Sequence, residues 1–183
     1  MTFEPTAIDG VWQVRGTAQA DERGSFTRLY CAEAFEAVLP GLRFVQINHS
    51  VTRRRGTLRG LHLQRAPSRE WKLVRCLRGR VFDVAADLRR GSPGFGRWVA
   101  LELSEHEPLA LLIPPGVAHG FQALSDDAQL LYQHSAAHAP ELEGGVRHDD
   151  PLLAIRWPLP VTLLSARDQR LPFLQPADAT CVG

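Results

Sequence analysis

Two histidines stand in largely apolar stretches of the chain: His62 in LRGLHLQ (58–64) and His119 in PPGVAHGF (114–121). Two chemistries suit them. As halves of a metal site they would need company, because three or four N/O donors must converge on one ion. As a general base, one imidazole needs only a carboxylate to orient it, since imidazole titrates near neutrality. Spacing weighs against the metal. The second imidazole of an H-x-H pair would fall at position 64, where Gln64 stands. Two His without a carboxylate ligand make a weak site, so the expectation is no metal and acid–base work instead. A third residue is conspicuous by its rarity. Of 21 basic residues, Lys72 is the one lysine and the other 20 are Arg. Either the chemistry wants one compact ammonium or one lysine has survived a compositional bias, and composition alone does not choose.

The elements that must position these groups are strands. GVWQVRGT, RFVQINHSV, TLRGLHLQ, WKLVRCLRGRVFDVAADLR, GRWVALELS, LALLIPPG, HGFQALS and QLLYQHS are short and rich in Val, Leu, Phe and Trp. The turn signals RRRG, RRGSPGFG, PPG and SDD separate them. Only CAEAFEAVLPG (31–41) has helical spacing, with Phe35 and Val38 three apart and a Pro-Gly stop. Many short strands joined by turns indicate an antiparallel sandwich or barrel. Period-two alternation puts Gln46, Asn48 and Ser50 on one face, and Lys72, Val74 and Cys76 on one face. It also puts Leu58, Gly60, His62 and Gln64 together and sends Arg59 to the opposite side, so a substrate role for Arg59 needs either a bulge in the strand near Gly60 or a neighbouring subunit's pocket to receive it. Alternation does not say which face is the inside; a barrel interior lined by Gln, Asn, His and Lys would be a ligand cavity.

Composition sets the limits. A chain of 183 residues suits one domain with a real core. A net charge of +1 gives no electrostatic case for nucleic acid or an acidic membrane surface. Cys31, Cys76 and Cys181 are odd in number and widely spaced, against a disulfide framework or a zinc knuckle. The N-terminus MTFEPTAIDG lacks the pattern of a secretory signal, and no apolar run is long enough to span a bilayer. The expected location is cytoplasmic. From about 175 to 183 the chain is polar and reads as a flexible tail.

Taken in order, DERGSF (21–26), FVQINHS (44–50), LRGLHLQ (58–64), KLVRCLRGRVFDVAADLRRGSPGFGRW (72–98), IPPGVAHGF (113–121), LLY (130–132), DDPLLAIRWP (149–158) and LSARD (164–168) resemble one family. It is the nucleotide-sugar 3,5-epimerases typified by dTDP-4-dehydrorhamnose 3,5-epimerase, and the resemblance runs from about Ala7 to Leu174. It implies a mainly β, cupin-type antiparallel jelly-roll barrel with a few short helices, a single domain over 1–183, no metal and no cofactor. It also implies a homodimer whose substrate is a dTDP-linked 4-keto-6-deoxyhexose. Protons at C3 and C5 of that sugar are α to the C4 ketone, so removing one gives an enolate. The chemistry then needs a base on one face, a charge to stabilise the enolate, and an acid on the other face. The resemblance assigns the base to His62, its orienting carboxylate to Asp168, the cation to Lys72 and the acid to Tyr132. It makes Arg23 and Phe26 a nucleotide-facing pair, and Gln46, Asn48, Arg59, His119 and Glu143 ligands of diphosphate and sugar. Asp83 and Asp87 in VFDVAAD read as structural rivals for the carboxylate role.

Some positions depart from the family pattern. Arg28 stands where a Glu is usual, reversing charge on the substrate side. Ile47 replaces an Asp, Ala137 and His138 replace a Tyr pair, His148 replaces a Trp and Arg167 replaces a Lys. These changes leave open a C3-only or C5-only epimerase on a related nucleotide sugar, or a non-catalytic sugar-nucleotide-binding cupin.

Overall fold

A computed structural model describes residues 1–175 of the chain, and the expected flexible tail lies almost wholly outside them. The first elements are β1 (Thr2–Pro5), β2 (Trp12–Arg15), β3 (Ala18–Asp21), β4 (Gly24–Thr27) and helix α1 (Ala32–Val38). Then follow β5 (Gln46–Thr52), β6 (Leu58–Gln64), β7 (Lys72–Arg78), β8 (Arg80–Asp87), β9 (Trp98–Ser104), β10 (Leu109–Ile113), β11 (Val117–Ala123) and β12 (Ala128–His134). A single 3-10 turn (Pro140–Leu142) leads into β13 (Glu143–Gly145), and helix α2 (Ala166–Gln169) comes last.

The strands build two antiparallel sheets in the orders β1-β2-β10-β7-β12-β5 and β13-β6-β11-β8-β9, plus the separate ribbon β3-β4. The crossed order, with sequential strands exchanging sheets, is the jelly-roll arrangement expected. Between the sheets lies an apolar core that includes Val74, Cys76, Ala85, Leu103, Leu111, Phe121 and Leu130. Helix α1 forms because its one buried residue, Phe35, meets Phe3, Tyr30 and Phe44 at ring-centroid distances of 4.9, 5.1 and 5.6 Å. Burying that ring contributes about 1.5–3 kcal/mol. The helix ends at Val38, ahead of Pro40, as the Pro-Gly stop predicts. The outer face of the second sheet is closed by the chain from 146 to 174. There Asp150, 1% exposed, accepts hydrogen bonds from the amides of Leu152, Leu153 and Leu174.

One irregularity decides where the chemistry sits. On β6 and β11, Leu58 faces Gln122, Arg59 faces Phe121 and His62 faces His119. Three steps along β6 therefore match two along β11, so the pair carries a bulge, with Gly60 and Leu61 opposite Gly120. The extra residue reverses the alternation. Arg59 and His62 both line the same cavity, so strict alternation fails here and the bulge near Gly60 is the alternative that the register shows. Only glycine fits at 60: its φ is +118°, and a Cβ there would lie 2.6 Å from Gly120 Cα and 2.8 Å from the His119 carbonyl oxygen.

Candidate active site

The two sheets separate at one end around a cavity of about 840 Å³. From the β13-β6-β11 side come Arg59, His62, His119 and Glu143; from the β7-β12-β5 side come Lys72, Tyr132, His134, Gln46 and Asn48. The loop from 163 to 168 closes one edge. Strand periodicity does the sorting: on β5 the polar residues Gln46, Asn48 and Ser50 face the cavity, while Ile47 and Val51 are exposed outside.

His62 Nε2 lies 2.7 Å from Asp168 Oδ1, and the imidazole is one-third exposed while the carboxylate is almost wholly covered. A carboxylate accepts, so Nε2 carries the hydrogen and Nδ1 holds the free lone pair. Asp168 is fixed in turn. Its other oxygen accepts from the Gly60 amide at 3.2 Å, and its own amide donates to the Ser165 hydroxyl that caps α2. Burial opposes ionisation of Asp168, but His62, the Gly60 amide and Ser165 outweigh it and hold the carboxyl below its ordinary range.

His119 stands directly across from His62 on the neighbouring strand, yet its Nε2 binds a different carboxylate, Asp83 Oδ1, at 2.8 Å. The two imidazoles are thus two separate imidazole–carboxylate pairs rather than one ligand set. Among the described residues no group of three or more His, Cys, Asp or Glu is arranged to hold a metal ion.

On the opposite wall, Tyr132 meets the edge of the His119 ring at 5.6 Å and stacks on His134 at 5.9 Å. Burial first, and the Asp83 carboxylate second, push its phenol well above the ordinary value, with Arg59 pulling the other way. It therefore stays protonated and gives up its proton only to a strong base. Lys72 is nearly covered, with Nζ 3.4 Å from Glu70 Oε2 and donating to the His62 carbonyl at 3.3 Å. Arg59 reaches Thr52 Oγ1 and the Val51 carbonyl at 3.1 and 3.2 Å. Glu143 pairs with Arg167 at 2.6 Å and lies 3.7 Å from His138. One wall thus offers an oriented imidazole base, and the other a phenol and a shielded ammonium.

Residues 5–176 match the family model described as dTDP-4-dehydrorhamnose 3,5-epimerase. The chain belongs to this family.

A dTDP-4-dehydrorhamnose 3-epimerase of Streptomyces niveus is 42% identical over 190 residues, covering 99% of this chain and 91% of the relative. A dTDP-4-dehydrorhamnose 3,5-epimerase of Pseudomonas aeruginosa is 47% identical, covering 88% of each. A crystal structure of the Legionella pneumophila dTDP-6-deoxy-D-glucose-3,5-epimerase in complex with dTDP-4-keto-L-rhamnose superposes with a TM-score of 0.90. That pair is 38% identical, with 100% of this chain and 98% of the other covered.

Of the residues that the family resemblance singled out, the cavity gathers His62, Asp168, Lys72, Tyr132, Gln46, Asn48, Arg59, His119 and Glu143. It does not gather Arg23, Phe26 or Arg28. These sit on or just after the β3-β4 ribbon, which pairs only with itself. Phe26 is 76% exposed and Arg23 bonds back to Asp21 in the ribbon's own turn. They do not line the cavity of their own chain, and no sheet hydrogen bond carries the ribbon to it. Asp83 also departs from its structural reading, since it orients a cavity imidazole, whereas Asp87 does hold a loop, through Arg89 and Ser92. Sequence reading missed Glu70 and His134. Both had a signal: Glu70 precedes the lone lysine by two, and His134 follows Tyr132 by two on the same strand face.

Proposed function

We propose that this chain is an epimerase that inverts C3, C5 or both in a dTDP-linked 4-keto-6-deoxyhexose. His62, oriented by Asp168, takes the proton α to the C4 ketone through Nδ1. The C–H electron pair passes into the ring and the negative charge collects on the C4 oxygen, beside Lys72. An ammonium is the better point charge there than a diffuse guanidinium. Tyr132 returns a proton to the same carbon from the opposite face. Each turnover leaves His62 protonated and Tyr132 ionised, and exchange with water restores both. The carbonyl itself acidifies the α protons, so the reaction calls on no cofactor.

The observation that carries this reading is the division of labour between the sheets: His62–Asp168 on one wall, Tyr132 and Lys72 on the other. A base and an acid on opposite walls are what inversion, rather than simple exchange, requires. Arg59, His119, Gln46, Asn48 and Glu143 surround the same cavity and serve to seat diphosphate and sugar. We also infer a homodimer in which the ribbon's exposed Phe26 and Arg23 serve a second copy. A cytoplasmic location suits a nucleotide-sugar enzyme, and no described helix is long and apolar enough to cross a membrane. Inversion at C3 alone is the second reading, favoured by the 42% identity to a 3-epimerase across almost the whole chain.

The test is incubation with dTDP-4-keto-6-deoxyglucose in D2O, followed by NMR at C3 and C5 separately. Deuterium is expected at C3, and at C5 if both centres turn over; His62→Asn should slow exchange by roughly 10²–10⁴. Absence of exchange at both carbons with bound nucleotide sugar would identify a binding protein instead.

A further inference from the structure

We propose that Glu70 is a positioning residue: it is the counter-ion that keeps Lys72 an ammonium inside the cavity, and His134 and Gln64 hold it there. The catalytic consequence rests on the reading of Lys72 as the cation beside the enolate oxygen.

Glu70 lies two residues before the only lysine and is 7% exposed. One oxygen, Oε1, accepts from Gln64 Nε2 at 2.8 Å and from His134 Nδ1 at 2.9 Å. The other, Oε2, has no hydrogen-bond partner and faces Lys72 Nζ at 3.4 Å. Two donors thus fix the carboxylate and leave its second oxygen facing one cation. The polarity of the surrounding chain supports this. The Gln46 amide donates to Asn48 Oδ1, and the Asn48 amide nitrogen lies 3.3 Å from His134 Nε2. An amide nitrogen only donates, so Nε2 accepts and the His134 hydrogen sits on Nδ1, pointing at Glu70. His134 thus serves Glu70 as a hydrogen-bond donor, and Lys72 Nζ is the cation that faces the free oxygen.

A buried ion is costly without its partner. Burial by itself favours the neutral form of both groups. For Glu70, His134, Lys72 and Gln64 overcome that and hold the carboxyl down at about 2. For Lys72, burial prevails and lowers the value, with Glu70 the main force in the other direction and Glu143 the second. Glu143 is already paired with Arg167. From the strands flanking β7, His134 stands opposite Lys72 on β12 and Ile113 opposite it on β10, while β6 offers the His62 carbonyl. Glu70 is the anion committed to Lys72.

Because Lys72 is the sole lysine, its ammonium can be read directly. Protein without a lysine-containing tag, grown with 13Cε-labelled lysine, gives one lysine signal to follow against pH. Glu70→Gln keeps the shape and removes the charge. It is expected to move the Lys72 titration down by about one pH unit or more. The alkaline limb of the deuterium-exchange rate should move with it, with the rate recovering at lower pH. Glu70→Asp, which retains a carboxylate, should keep the titration near wild type whatever it does to thermal stability. Superimposable titrations for wild type and Glu70→Gln would overturn the proposal. Lys72→Met tests the underlying reading apart: full exchange in that variant removes Lys72 from the mechanism, and leaves the titration to judge the counter-ion.

Discussion

On the proposed reading, the function depends at Tyr132 on a side chain that is a poor acid at rest. Burial and the Asp83 carboxylate hold the phenol in its protonated form. The His119 and His134 rings bracket it at 5.6 and 5.9 Å, so its direction is fixed by packing. An enolate carbon is basic enough to take that proton, whereas water-level bases are not. The two half-reactions therefore separate cleanly by residue. Tyr132→Phe preserves the shape of the wall and the His62–Asp168 pair opposite. Deuterium wash-in at the carbon that His62 serves is expected to survive, while net inversion falls by roughly 10²-fold or more. NMR of recovered substrate and product reads both at once. Inversion at the wild-type rate in Tyr132→Phe would remove this residue as the acid.

Among the elements, β6 is where period-two reasoning succeeds and then fails. On β5 the same reasoning holds: Gln46 and Asn48 face the cavity and Ile47 faces out. On β6 it misplaces Arg59, because a bulge is a property of the strand pair and only the register with β11 reveals it. Gly60 was the available hint, since glycine within a strand marks a bulge or a close backbone approach. That reasoning gives a prediction for the element. In Gly60→Ala the new Cβ meets the Gly120 and His119 backbone at a φ of +118°. The expected cost is about 1–3 kcal/mol of stability. Exchange activity should be lost with it, because Arg59 and His62 depend on the bulge to share a wall. Gly96→Ala is the control: its φ is +74°, but a Cβ there meets nothing within 4 Å. Thermal unfolding and D2O exchange measure the difference. A Gly60→Ala variant as stable and active as Gly96→Ala would show that the bulge does not set the site.

For the molecule as a whole, the two-sheet architecture was readable because turn signals separate runs of alternating apolar residues, and ordered motifs singled out His62, Lys72, Tyr132 and Asp168, which line one cavity. The pairing of Glu70 with His134 was not readable, because it is a contact between residues 64 apart in sequence. The ribbon poses the opposite problem. Its residues carry the family's motif, yet in the single chain Phe26 is 76% exposed and the ribbon joins neither sheet. An aromatic side chain so exposed contributes little to the stability of its own chain, so selection for it would act through something else. Ile47 at 63% and Val45 at 64% exposure add apolar surface on the outer side of β5, an edge strand. A second copy satisfies both observations. Sedimentation equilibrium of the wild-type protein is then expected to give twice the 20.3 kDa chain mass. Phe26→Asp should leave the thermal unfolding of the separated chain nearly unchanged, weaken self-association, and raise KM for the nucleotide sugar more than it lowers kcat. That split follows because Phe26 lies outside the cavity that holds His62, Lys72 and Tyr132. A wild-type protein that sediments at the single-chain mass while turning over its substrate would place the whole reaction within one chain, and the ribbon would then need a different explanation.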